Sequence, residues 1–259
     1  MAGRHTALKK SALKKTVSKA PAVKKPRTFR EQLEATVLSR HCANHPLTKK
    51  WAAGKVSKNA RMGWAVEHWH WVSKMTPAYF SILVNAPKDV IGFTLANFSE
   101  ENDDKHSHLD IVLRFAKANG ADIEKIKKSR GLPTTESWVR FLLDASKREP
   151  WIVGCAALNI GTESQSPLLY STMLPALRSV YKYPENDIEH FWLHVEADED
   201  HGGRAYEALE RHCTTPELKE LALHWAYESA RMRWMYFDGI YLHYEMGYDL
   251  ADQPARERV

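Results

Sequence analysis

Phe191 to Glu207 reads FWLHVEADEDHGGRAYE and sets His194, Asp198 and His201 at i, i+4 and i+7. On an α-helix those positions share one face. Two imidazoles and a carboxylate along one stripe form a set of N and O donors that a transition metal takes. Glu196, Glu199 and Asp200 interleave with them, so a solvated acidic helix is the competing reading. The rest of the chain must supply the other ligands.

Working outward, the pattern stays helical. FREQLEATVLSRHCANH predicts one helix, stopped at His45-Pro46 because proline disfavours a helical predecessor. A second helix spans Ser57 to Met75, and Pro77 and Pro87 punctuate shorter ones. Lys88 to Glu101 is followed by a polar break, NDDKH, and then Ser107 and Asp110 form a capping box for 108–119, closed at Asn119-Gly120. Thr134 or Thr135 caps 136–147. Trp151 to Tyr181 reads as a long apolar helix interrupted near Pro167. Segments 187–200, 204–212 and 216–247 complete the set. Neither period-2 alternation nor an internal repeat competes, so the expectation is an all-α bundle, one domain over 29–250 with a frayed end at 251–259.

Charge is unevenly spread. Residues 1–28 hold nine of the 37 Lys and Arg and no acid, which leaves the remainder slightly acidic although the whole chain is +5. That Lys-, Ala- and Pro-rich tail predicts disorder. It lacks the apolar core of a secretory signal and the Arg bias of a transit peptide. No aromatic-interleaved basic stripe occurs elsewhere. Nucleic-acid binding would therefore rest on the tail alone, and a solubilising role is the preferred reading. Three cysteines without C-x-x-C spacing suggest neither a zinc cage nor a disulfide framework. Cys42 and Cys155 read as buried thiols, which with the absence of an apolar run of membrane length leads us to expect a cytoplasmic protein.

Three carboxylates or imidazoles stand out beyond the stripe. Glu101 and His108 flank the polar break as E-x6-H. Glu163 lies alone in WIVGCAALNIGTESQSPLLY, where a buried carboxylate is costly unless paired or metal-bound; the alternative is a helix-end glutamate facing solvent. Glu67 and His70 form an E-x-x-H, the motif that ferritin-like diiron bundles use twice, but no second copy exists. Amid Trp64, Trp69 and Trp71 the pair also reads as a packed aromatic helix. His190 and His194 imitate a zinc pair without its glutamate.

The order Glu101-x6-His108, Glu163, His194-x3-Asp198-x2-His201 resembles the haem-oxygenase-like diiron oxidases. These share a superfamily with thiaminase II and pyrroloquinoline quinone synthase C. HPLTKKWAAGKVSKNAR and EENDDKHSHLDIVLRFAKANG carry the likeness into the flanks, so that it covers about 29–250. The resemblance implies a seven-helix bundle with a nonhaem diiron centre. Two Fe²⁺ ions would be held by Glu101, His108, Glu163, His194, Asp198 and His201, with Glu163 bridging and O₂ as co-substrate. It further implies a small amino-acid-like or fatty-acid-like carboxylate as substrate, oxidised by N-oxygenation, C–C cleavage or decarboxylation.

A cation is then expected in the cavity, with Arg178, Lys182, Arg204 and Arg231 as candidates. Trp64, Trp69, Trp71 and Tyr79 are candidates for an aromatic wall, and Glu67 for an acid/base or a partner of the ligands. An external reductant and a homodimeric assembly belong to the same expectation. Two alternatives remain: a metal-independent enzyme of the thiaminase II or quinone-synthase kind, and a non-enzymatic bundle tethered to nucleic acid by its tail.

Overall fold

In the computed structural model, residues 28–101 and 107–251 are described, the side chains at 97, 100, 101 and 196–202 excepted. The expected tail and most of the frayed end lie outside that range. Thr28 starts the first helix with a capping box: its hydroxyl accepts from the Glu31 N–H and the Glu31 carboxylate accepts from the Thr28 N–H. Helix α1 (Phe29–Leu38) stops seven residues before His45, because two histidines act as caps. His41 Nδ1 accepts from Ala43 N–H and opens a 3₁₀ turn, Cys42–Asn44. His45 Nδ1 accepts from Leu47 N–H and opens α2 (Pro46–Ala52). The single helix expected up to His45 is thus a shorter helix and a 3₁₀ turn, with a new helix beginning at Pro46.

The chain continues through α3 (Lys58–Val72), α4 (Thr76–Val84), α5 (Lys88–Glu101), α6 (His108–Ala118), α7 (Ile123–Lys128) and α8 (Pro133–Ser146). Ser57 caps α3 as expected, accepting from Ala60 N–H. Ser107 precedes α6 without a side-chain cap bond, so the expected capping box does not form. Helix α8 starts at Pro133, and Thr135 uses its hydroxyl elsewhere.

Trp151 to Ser179 is the departure that matters. Helix α9 (Ile152–Cys155) widens into a π-helix over Ala156–Thr162, tightens to a 3₁₀ turn at Glu163–Gln165 and resumes as α10 (Ser166–Ser179). Pro167 sits in the first turn of α10, so the irregularity lies before the proline. Beyond a 3₁₀ turn at Glu185–Ile188, α11 (Glu189–His212) is continuous where a break near 200–204 was expected. An interior glycine costs about 1 kcal/mol in a helix, and burial of Ala205, Tyr206, Ala208 and Leu209 outweighs it. Helix α12 (Pro216–Ile240) ends in a second π-helix, Tyr241–Glu245.

All regular elements among the described residues are helical. The apolar 151–162 stretch is central. Ala157 and Leu158 join the core built on Trp51, Trp64 and Trp138, while Ala156 and Ile160 join a second core with Leu33, Trp151 and Leu209. A helix that is apolar all round has to be enclosed, and α12 packs along it while α11 and α8 lie against it. Each large side chain so buried contributes roughly 1.5–3 kcal/mol. Cys42, Cys155 and Cys213 are buried free thiols. Among the described residues no helix is long and apolar enough to cross a membrane.

Candidate metal centre

Several helical segments meet at a cleft open at its mouth. Helix α3 contributes His68, α6 contributes His108, α11 contributes His194, and the turn after the first π-helix contributes Glu163. Three of the expected ligands therefore share one cavity although they lie up to 86 positions apart in sequence. The His108 and His194 rings have centroids 4.6 Å apart. His194 Nδ1 donates to the His190 carbonyl at 2.6 Å, which directs the lone pair of the neutral ring to Nε2. Such an outer hydrogen bond selects the tautomer that a metal-binding histidine needs.

Glu163 is held from two sides. Tyr79 Oη donates to Oε1, and Asn159 Nδ2 donates to Oε2 at 2.7 Å. Asn159 belongs to the π-helix, four residues before Glu163, so the widened turn delivers both the carboxylate and a donor for it. Donors aimed at a carboxylate favour its charged form. The donor set fits a transition metal: two imidazoles and an oriented carboxylate of mixed N and O character. Glu101 ends α5, and Asp198 and His201 follow His194 on α11, but their side chains lie outside the described residues. Among the described residues no three His, Cys, Asp or Glu groups form a metal cage by themselves.

His190 lies behind the His68 side of this face, the two ring centroids 4.7 Å apart. Neither ring has a hydrogen-bond partner at either nitrogen. His68 stacks on Trp64, and His190 approaches His194 to 4.1 Å between centroids. Burial, then the charge of Arg233, hold His68 well below the usual histidine range; burial and the neighbouring imidazoles do the same to His190. Both are neutral at physiological pH. Apolar and aromatic groups complete the wall, among them Trp71, Tyr79, Phe98 and Tyr170.

Glu67 is elsewhere. It is 1% exposed, and it accepts from Leu132 N–H at 2.8 Å, from the Thr135 hydroxyl at 2.6 Å and from Tyr244 Oη at 2.9 Å. It thereby caps the start of α8 and borders a second groove, away from the cleft. Burial pushes its carboxyl above the usual range, while the three donors oppose that shift. His70 likewise faces Ser129, at 3.0 Å. Glu67 and His70 thus do not line the cleft: one residue along α3 turns the chain by about 100°, and His68 is the residue that faces it.

The expected cation is also absent from the described wall. Arg178 pairs with Glu185 and Arg231 with Glu228, both at the surface, while Lys182 is exposed and Arg204 is not among the lining groups. Trp71 and Tyr79 line the cleft as expected; Trp64 packs in the core and Trp69 against it. Asn159 was legible by the same logic as Glu163, a polar group in an apolar run. Arg233 carried no such signal.

A family model described as iron-containing redox enzyme matches residues 62–234. The 4-aminobenzoate synthase of Nitrosomonas europaea is 26% identical over 228 residues, covering 84% of this chain and 92% of that protein. The 4-aminobenzoate synthase of Chlamydia muridarum is 25% identical over 177 residues, covering 67% and 74%. Among solved structures, a TenA homolog from Pseudomonas syringae superposes with a TM-score of 0.72 at 14% identity, covering 82% of this chain and 92% of its own. A domain of unknown function with a heme oxygenase-like fold from Shewanella denitrificans gives 0.70 at 18% identity, covering 87% and 97%. The architecture is therefore the all-α haem-oxygenase-like fold.

Proposed function

This chain belongs to the family of iron-containing redox enzymes, and on that premise we propose that it is an O₂-dependent nonhaem diiron oxygenase that makes a 4-aminobenzoate-class carboxylate. The observation that carries the reading is the meeting of His108, Glu163 and His194 at one cleft, with His194 held in the metal-binding tautomer. Glu101, Asp198 and His201 complete the proposed ligand set. Bound Fe²⁺ supplies the electrons and the affinity for O₂ that protein side chains lack. The relatives named 4-aminobenzoate synthase support the product class.

The chain's own groups do the positioning. Tyr79 and Asn159 fix the Glu163 carboxylate, and Tyr79 Oη is the nearest protic group on it. Trp71, Tyr79, Phe98 and Tyr170 form an aromatic wall that suits a flat ring and excludes water from it. With no Lys or Arg on the described wall, polar groups of the substrate meet hydroxyls such as Ser166 and the neutral ring of His68.

Anaerobic loading with Fe²⁺, followed by O₂ and mass spectrometry for 4-aminobenzoate, tests the reading. About two irons per chain, O₂ uptake and aminobenzoate are expected. Protein that takes up no Fe²⁺ would sink the reading, and loaded protein that consumes O₂ without forming an aminobenzoate would sink the product assignment.

A further inference from the structure

Arg233 lies on α12, is 1% exposed, and no ion pair to it is found among the described residues. A guanidinium cannot shed its charge, and burying it without a carboxylate is expensive. Its placement has a specific correlate. Nη1 donates to the Thr162 carbonyl, which is the oxygen of the peptide that begins Glu163. The guanidinium carbon also lies 5.9 Å from the Trp71 ring, on the cleft wall.

Thr162 joins the π-helix to the 3₁₀ turn Glu163–Gln165, with φ −106° and ψ −70°, and its carbonyl heads that tightened turn. The buried guanidinium adds a charged donor to the same carbonyl. Helix α12 provides for the rest of the widened turn as well. Ser229 Oγ lies 2.6 Å from the Ala157 carbonyl, to which it donates, and 2.9 Å from the Thr162 hydroxyl. Gly161 permits this approach, since a Cβ there would stand 2.5 Å from Ser229 Cβ and 2.6 Å from the Ala226 carbonyl.

We propose that Arg233 is a positioning residue for Glu163: by clamping the Thr162–Glu163 peptide it holds the widened turn in the one form that points the carboxylate into the cleft. The inference rests on the reading of Glu163 as a metal ligand. Ser229 is the secondary fastener of the same turn.

Titration of the full chain with Co²⁺, with visible absorption as the readout, tests this without turnover. Arg233→Met is expected to weaken Co²⁺ binding about 10–100-fold, the usual cost of removing an outer-sphere partner, and to alter the absorption envelope. Arg233→Lys, which keeps a charge and a donor, should fall between the variant and the native protein. In a Glu163→Gln background, Arg233→Lys should cause no further loss. Native affinity and spectrum in both Arg233 variants, or an undiminished loss in the Glu163→Gln background, would overturn the assignment.

If Arg233→Met does not fold, Arg233→Lys and Ser229→Ala pose the same question, and unchanged binding in both overturns it. Native protein that takes up neither Co²⁺ nor Fe²⁺ overturns the diiron reading and this assignment with it. Native protein that binds, beside variants that bind equally, overturns the assignment alone.

Discussion

Two glutamates, one buried and one partly buried, each served by a π-helix, have opposite fates. Asn159, inside the first π-helix, donates to Glu163; Tyr244, inside the second, donates to Glu67. Glu67 spends its oxygens on the start of α8 through Leu132 and Thr135, while Glu163 lines a cleft together with two imidazoles. Burial of a carboxylate is therefore not in itself a mark of chemistry. What separates the two is whether the surrounding donors belong to a helix start that needs capping or to a cavity wall.

The largest expected effect separates them directly. Glu163→Ala should lower O₂ consumption by more than about 100-fold, since outer partners of metal ligands alone cost 10–100-fold, with helicity unchanged by circular dichroism. Glu67→Ala should leave turnover of the folded protein within a few-fold of native. It strands the Leu132 N–H and two hydroxyls, at about 3 kcal/mol in all, which for a chain of this size lowers Tm by about 10 °C. If Glu67→Ala instead abolished turnover at temperatures where it is folded, the contrast between the two glutamates would be broken.

One glycine at a close contact of each π-helix offers a finer version. A Cβ on Gly161 would press on the backbone of α12, and one on Gly63 would stand 2.1 Å from Tyr244 Cγ. Both alanine variants overpack and should lose about 1–3 kcal/mol, measurable by urea denaturation. Only Gly161→Ala, two residues before Glu163, should also weaken Fe²⁺ binding. Equal metal affinity in the two variants would show that the first π-helix does not aim the carboxylate.

How much of this was legible follows from the periods involved. His108, Glu163 and His194 could be read because each interrupts or borders an apolar pattern, and a polar group there must find a partner. Glu67 lies outside the cleft because a motif fixes spacing along the chain, whereas the face is set by packing: the start of α8 takes Glu67, and the cleft receives His68. The first π-helix was hidden because the apolar run 151–162 reads the same at any helical period. Arg233 was hidden beside Arg231 for a related reason. Two residues on a helix are about 200° apart, so one faces solvent with Glu228 and the other the core, and a run such as RMRWMYF does not say which.

The smallest expected effect concerns the Glu67 side alone, where two titrating groups act with opposite sign. Burial, with Lys74 adding to it, lowers His70 from 6.5 to about 4. Between those values the unfolded chain binds more protons, so stability is lost as pH falls from 6.5 to 4. Glu67 is raised above 4.5, so in its window the folded state binds more protons and stability is gained as pH falls through its folded pKa. Tm measured against pH should therefore fall more steeply on the acid side in Glu67→Gln than in the native protein, and less steeply in His70→Gln. Glu163→Gln compared with native over the same range carries no such expectation. A Glu67→Gln profile parallel to the native one would mean that its three donors hold Glu67 ionised across the window. The Glu67 carboxylate would then be as firmly charged as one at a metal site, and the contrast between the two glutamates would rest on the cleft alone.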